Sequence, residues 1–367
     1  MKLKRIPEDF IVEEKLDIPL LESGKYWVYT LSKSGIDTHT AVQLICKANK
    51  VASDAVGVCG RKDKHAKTIQ YISVPKELKA LSDRSYTLKH VGFLDSPLSV
   101  GSHSANSFTI TVRQIPNGKA AQAYTRAQSL LSLAVPNYYD SQRFGSYIDG
   151  TFVGKLVIAG EYEQAVKLLL TVSSPHEPAA IRAEKRMLSS RWKQKDVVER
   201  LNHVMLRKPY LVGLRDGWKA AYNAFAYHEK VLHMQAYQSY LWNQVLNSLV
   251  REKKYFVVKY AVGSLSFPLE KISLPSQIPL MISSFSHPCV AAILEKEGLV
   301  DFHLQQLAGK DVTAVRDAAI ALTDVVVSKP VADDLAKKPE QFSKLTVSFT
   351  LPVGSYATVV MKAILRQ

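Results

Sequence analysis

The segment Leu345-Thr346-Val347-Ser348-Phe349-Thr350 alternates apolar and polar side chains, as a half-buried strand does. It returns near the end of a chain whose middle reads mostly as helix. The opening third also has strand character, in Phe10-Ile11-Val12, Lys25 to Leu31, Ile69 to Val74 and Phe108 to Val112. Asp37-Thr38-His39-Thr40 predicts a helix start, with the helix running to about Asn49 and Ala41, Leu44 and Ile45 on one face. From about residue 146 the spacing changes to that of helices, at Glu161 to Leu170, Arg191 to Val204 and His228 to Lys254. A strand that late belongs with the early strands. The order strands, helices, strand therefore predicts one domain interrupted by another.

Composition narrows the class. The chain has 367 residues, 47% of them hydrophobic, enough for buried cores and unlike a disordered basic tail. It carries 48 Lys and Arg against 33 Asp and Glu, a formal net charge of +15. Such an excess favours a polyanionic partner, RNA or DNA before acidic membrane surfaces. The 3 cysteines, Cys46, Cys59 and Cys289, are scattered and form no CxxC pair, which argues against a zinc ribbon, a redox motif or a disulfide framework. The start lacks the apolar core of a signal peptide. The apolar stretch from Ile278 to Leu294 is broken by Pro279, Ser283, Ser284, His287 and Pro288, so no membrane span is expected and the location expected is cytoplasmic.

Several chemistries lack their motifs. There is no GxxxxGK[ST] phosphate loop, no GxGxxG dinucleotide turn and no HExxH. No cofactor and no metal is expected: Asp63 and His65 would share one face of a strand, but no third ligand lies near them. The run Arg61-Lys62-Asp63-Lys64-His65-Ala66-Lys67 places one carboxylate among four permanent cations and a histidine. Nearby cations favour the ionised carboxylate and also attract phosphates. An ordinary solvated loop has the same composition. Val135 to Gly145 mixes Tyr138, Tyr139 and Phe144 with Asn137, Gln142 and Arg143, residue types that stack on bases and bond their edges. A loop-to-helix turn with core tyrosines reads the same way, so from the residues alone both readings stay open.

Longer matches decide between them. Gly60-Arg61-Lys62-Asp63-Lys64-His65-Ala66-Lys67-Thr68-Ile69-Gln70 resembles the signature G-x-K-D-[KR]-x-A-x-T-x-Q of the TruD family of tRNA pseudouridine synthases. Pro7-Glu8-Asp9-Phe10-Ile11-Val12-Glu13-Glu14 resembles the family's N-terminal motif, and Asn137-Tyr138-Tyr139 with Gln142-Arg143-Phe144-Gly145 its N-Y-[FY]-x-x-Q-R-F-G motif. Ala105 to Phe108, Gln238 to Asn243 and Leu351 to Thr358 resemble further blocks in the family's order, whereas 150–225 and 255–340 carry little that matches.

The resemblance implies an α+β pseudouridine-synthase fold, a mixed and largely antiparallel sheet with flanking helices. It places the catalytic domain at 1–145 and 342–367 and an inserted α/β TRUD domain at 146–341, with the cleft between them. It implies isomerisation of uridine in tRNA, at position 13, without a cofactor and without an obligatory protein partner. Asp63 would be the nucleophile, with the uracil ring and the ribose C1′ both open as its point of attack, and Lys4 its charge partner. Phe10, Asn137, Tyr139 and Tyr356 fall on substrate-pocket positions, the two tyrosines where bacterial members often carry Phe. Arg61, Lys62, Lys64, Lys67 and Arg143 are candidates for RNA-backbone contact, as are Arg182, Lys185, Arg186, Arg191, Lys193 and Lys195 in the inserted part. The competing classes are an RNA-binding protein without chemistry, a synthase with a broader RNA range and a metal-dependent nuclease.

Overall fold

The computed structural model describes residues 2–129, 133, 135–175, 177–299 and 313–366. The chain forms two compact units, Met1–Val135 with Ile320–Arg366, and Pro136–Ala319.

The first unit is built on one mixed sheet. Its main strands are β1 (Phe10–Lys15), β2 (Tyr26–Lys33), β3 (Lys67–Val74), β4 (Tyr86–Leu94), β5 (Ala105–Pro116), β6 (Thr323–Val327) and β7 (Phe342–Pro352). They lie in the order β6-β7-β5-β1-β3-β2-β4. Every neighbouring pair is antiparallel except β1 and β3, which run parallel with Ile11 opposite Lys67. The late strand β7 therefore joins the early strands, with Val347 opposite Ile110.

Alternation sets which side chains go inward. In β1, Phe10, Val12 and Glu14 are buried, so one carboxylate follows two apolar residues onto the same face. In β2, Tyr29, Leu31 and Lys33 do the same, leaving an ammonium at the end of a buried row. Helix α1 (Thr38–Asn49) starts at Asp37, whose carboxylate accepts from Thr40 N at 2.9 Å, and Ala41 and Ile45 pack against Tyr29, Leu31 and Ile72. Leu44, expected on that face, is exposed instead. Helix α2 (Asn117–Ser129) and helix α3 (Ala357–Leu365) also belong to this unit.

The second unit is mainly helical, with helices Tyr162–Thr171, Ala179–Ser190, Val204–Asp216 and Tyr227–Val250 and a hairpin of Tyr255–Tyr260 with Gly263–Pro268. Its core gathers Val153, Val166, Leu170, Leu188, Val197, Leu201 and Tyr210. The expected helix from Arg191 to Val204 is not formed. Lys193 takes a left-handed backbone (φ 69°), only a 3-10 turn covers Lys195–Arg200, and His203 is extended before the next helix. The apolar spacing there buries Val197 and Leu201 from an irregular connection.

Candidate functional site

Asp63 sits on the loop that leads into β3, with its side chain 38% exposed. One carboxylate oxygen, Oδ1, accepts from its own loop at His65 N, 3.0 Å away. The other, Oδ2, accepts from Lys4 Nζ at 2.5 Å. Burial pushes the carboxyl upward, but the Lys4 hydrogen bond, the His65 amide and the charges of Lys4 and His65 outweigh it and hold it below the ordinary carboxylate range. The result is an oriented, ionised and accessible carboxylate.

Lys4 is itself fixed. It has a left-handed backbone (φ 56°), and its ammonium lies 4.1 Å from the centroid of the Phe10 ring, a cation–π contact. On one side, Lys2 exchanges both backbone hydrogen bonds with Arg113 on β5, each 2.9 Å. On the other, the amides of Arg5 and Ile6 donate to Asp9 Oδ2 at 3.1 and 3.2 Å, and Asp9 Oδ1 accepts from Arg113 Nε at 2.7 Å. Arg113 is buried and also donates to Asp333 and Asp334, each at 2.8 Å. One arginine thus pins both flanks of Lys4.

A second layer holds the Asp63 loop from below. The Lys33 ammonium is buried and donates to the carbonyls of Ile36, Lys62 and Asp63 at 2.9, 3.3 and 3.1 Å. Burial pushes its pKa down, against the pull of Asp37 and Asp63. Thr38 Oγ1 accepts from Lys62 N and donates to Gln70 Oε1, both at 2.8 Å. Gly57, just upstream, allows a close approach that no other residue fits, because a Cβ there would stand 2.4 Å from Leu98 O and Ser73 Oγ. Gly60 has no such constraint.

Lys62 turns away from its charged neighbours. Its side chain is only 10% exposed and turns inward, with Nζ 2.9 Å from Glu14 Oε1, an ionic contact, and donating to Asn106 Oδ1 at 2.6 Å. Glu14 Oε2 accepts from Tyr71 N at 2.8 Å. Reaching a phosphate would strand the buried Glu14 carboxylate, and in this position Lys62 ties the Asp63 loop to β1. Arg61, Lys64 and Lys67 are exposed. Tyr356 is half-buried just after β7, whose end pairs with β5 at Leu351 and Asn106.

Asn137, Tyr139 and Arg143 belong to the second unit. The Asn243 side chain, in the helix Tyr227–Val250, clamps Tyr139 by accepting from its N and donating to its carbonyl, each at 2.9 Å. Tyr138 is wholly buried and donates to Ser266 O at 2.8 Å. Asn137 is buried too, its amide donating to Asp317 O at 3.0 Å and accepting from Arg316 at 2.8 Å. Arg143 spends donors on Ser239 Oγ and Gln235 Oε1, both at 3.1 Å. Among the further basic candidates, Lys185, Arg191 and Lys193 are ion-paired with Glu177, Asp196 and Glu163.

Sequence reasoning missed Lys33, Glu14, Asn243 and Arg316. The signal for the first two was their parity with buried neighbours in β2 and β1. Asn243 lay within a matched block without a role, and Arg316 fell where nothing matched. Among the described residues, no group of three or more His, Cys, Asp or Glu side chains is placed to hold a metal, and no helix is long and apolar enough to cross a membrane.

Comparison with known proteins places these features in context. Residues 1–264 match the family model described as tRNA pseudouridine synthase D (TruD). A Methanococcus maripaludis protein named probable tRNA pseudouridine synthase D 1 is 31% identical, over 99% of both chains. The tRNA pseudouridine synthase D of Aquifex aeolicus is 29% identical, over 99% of this chain and 97% of its own. A solved Methanosarcina mazei structure assigned to the same group has the same fold, with a TM-score of 0.75 at 22% identity, over 100% of this chain and 93% of that one.

Proposed function

Because this chain belongs to the TruD family of tRNA pseudouridine synthases, we propose that it isomerises uridine to pseudouridine at position 13 of tRNA with Asp63 as nucleophile. The reaction breaks the N1–C1′ bond, turns the base, joins C5 to C1′ and releases the C5 proton while N1 gains one. Atoms and electrons balance within the nucleotide, so the chemistry calls for no oxidant and no group donor. It does call for a carboxylate that is ionised, aimed and reachable.

The observation that carries the reading is the Lys4–Asp63 contact at 2.5 Å on a side chain still 38% exposed. Lys4 keeps the carboxylate charged and points it, while the Lys33 and Lys62 layer holds its loop. Phe10, under the Lys4 ammonium, and Tyr356 are the first unit's candidates for uridine contact, and Asn137 and Tyr139 are those of the second unit. In this assignment the first unit is the synthase domain and the second the inserted domain, with exposed Arg61, Lys64 and Lys67 contacting the RNA backbone. Asp63→Asn is expected to lower single-turnover pseudouridine formation on unmodified tRNA by on the order of 10⁴-fold or more, with tRNA affinity retained. Isomerisation by that variant at the wild-type rate contradicts the assignment.

A further inference from the structure

His103 and Asn106 brace the Asp63 loop from the start of β5. His103 is buried just ahead of that strand, where Ser104 N donates to Lys15 O at 3.0 Å. Asn106 lies on β5 directly opposite Glu14 of β1. That register sets the Asn106 amide and the Glu14 carboxylate beside each other on neighbouring strands. Lys62 reaches both, its Nζ 2.9 Å from Glu14 Oε1 and donating to Asn106 Oδ1 at 2.6 Å. Behind the amide, His103 Nε2 lies 3.2 Å from Asn106 Nδ2. The same ring stands next to Gly60 on the loop, where a Cβ would be 3.8 Å from His103 Cε1.

The direction of each bond follows by elimination. An ammonium only donates, so Asn106 presents its oxygen to Lys62 and its NH2 to His103. An NH2 group only donates as well, so His103 Nε2 carries the lone pair and the ring hydrogen is on Nδ1. Nδ1 is buried and has no hydrogen-bond partner among the described residues. A second ring proton would turn Nε2 into a donor facing the Asn106 NH2. Burial and the Lys62 charge push the imidazole pKa below its ordinary value, against the pull of Glu14. The ring is therefore neutral at pH 7, and its tautomer is set by the bond it accepts.

We propose that His103 is a positioning residue for the isomerisation: by accepting from Asn106 it fixes the amide that holds Lys62, and through Lys62 the loop that aims Asp63. The inference rests on the reading of Asp63 as nucleophile. Without the His103 lone pair the Asn106 NH2 loses its acceptor, and the amide gives up its alignment with Lys62 to find another. Lys62 then keeps its anchor on β1 and loses the one on β5, next to the residue whose carboxylate must stay aimed. His103 acts through Lys62, so its loss appears in the rate of the bound complex.

The test is single-turnover isomerisation of full-length tRNA at saturating enzyme, for His103→Leu, His103→Gln, Lys62→Met and the double variant His103→Leu/Lys62→Met. Leucine removes the acceptor, whereas glutamine returns a carbonyl oxygen close to the place of Nε2. His103→Leu is expected to be slower by about 10-fold or more, the scale on which a misplaced reacting group costs rate, and His103→Gln to recover most of that loss. The double variant should match Lys62→Met within about 2-fold, because both changes break one chain of contacts. Imidazole nitrogen and carbon NMR shifts, assigned through the signal that His103→Gln removes, should place the ring hydrogen on Nδ1. A His103→Leu protein at the wild-type rate overturns the proposal. A double variant slowed by the product of the two single effects also overturns it, because His103 then acts apart from Lys62, and so does a ring hydrogen found on Nε2. Equal slowing of His103→Leu and His103→Gln with lowered melting temperatures overturns it too, because the ring then only fills space. A wild-type protein that makes no pseudouridine overturns the underlying functional reading, which separates that failure from this one.

Discussion

At the scale of single residues, Lys4 and Asp63 act through each other. The Asp63 carboxyl is held below its ordinary range chiefly because the Lys4 hydrogen bond and charge outweigh burial. A carboxyl with a depressed pKa is charged through the neutral range and gains its proton only in acid, so the acid limb of kcat/KM should lie below the ordinary carboxylate range in the wild type. Lys4→Met removes the opposing charge and leaves burial in place. The limb should then move to higher pH. A profile that does not move would mean that Lys4 does not govern the ionisation of Asp63.

Elements place these residues, and Arg113 on β5 is the element-level tie. It joins the turn at Asp9, the Lys2 segment and the chain at Asp333, and Asp9 and Asp333 are both buried. Arg113→Met leaves those carboxylates without their cation, so we expect a loss of about 3–5 kcal/mol in denaturant unfolding at neutral pH. Burial pushes the Asp333 carboxyl up, but the Gln114 amide, Arg113 and the Leu335 amide pull it below its usual range. The stability it contributes is present above the unfolded carboxylate pKa and is lost as pH falls through the lower folded value. The cost of Arg113→Met should therefore shrink in acid, and a penalty independent of pH would contradict this account.

The same scale explains what could be read from residues alone. Strands β1, β2, β3, β5 and β7 were legible because alternation and β-branched side chains reflect burial on one face. The start of α1 was legible in Asp37, whose capping bond is local. The stretch from Arg191 to Val204 misled because apolar spacing reports burial, and a left-handed Lys193 breaks the helix without changing that spacing. The inward turn of Lys62 was hidden for a related reason. Its sequence neighbours are charged and exposed, while its partner Glu14 arrives from a distant strand through the parallel pairing of β1 and β3. The contacts of Arg316 with Asn137 and Tyr139 were invisible because they join residues far apart in the chain.

For the whole molecule, a net charge of +15 predicts tRNA binding that weakens steeply with salt. The structure divides the basic run near Asp63 into exposed Arg61, Lys64 and Lys67 and inward-facing Lys62. A Lys64→Ala/Lys67→Ala protein should lower the slope of log K against log salt by about 1–2, since each lost phosphate contact removes close to one unit. Lys62→Met should leave that slope unchanged and slow isomerisation instead, through the loop it supports. The reverse pattern would return Lys62 to the RNA interface. The central claim, that this fold delivers one ionised Asp63 to a tRNA uridine, is tested most directly by mapping pseudouridine across total RNA from cells lacking the gene that carry either wild type or Asp63→Asn. The account predicts that wild type restores pseudouridine at tRNA position 13 and Asp63→Asn does not. Restoration by Asp63→Asn, or no restored pseudouridine in tRNA with wild type, would contradict it.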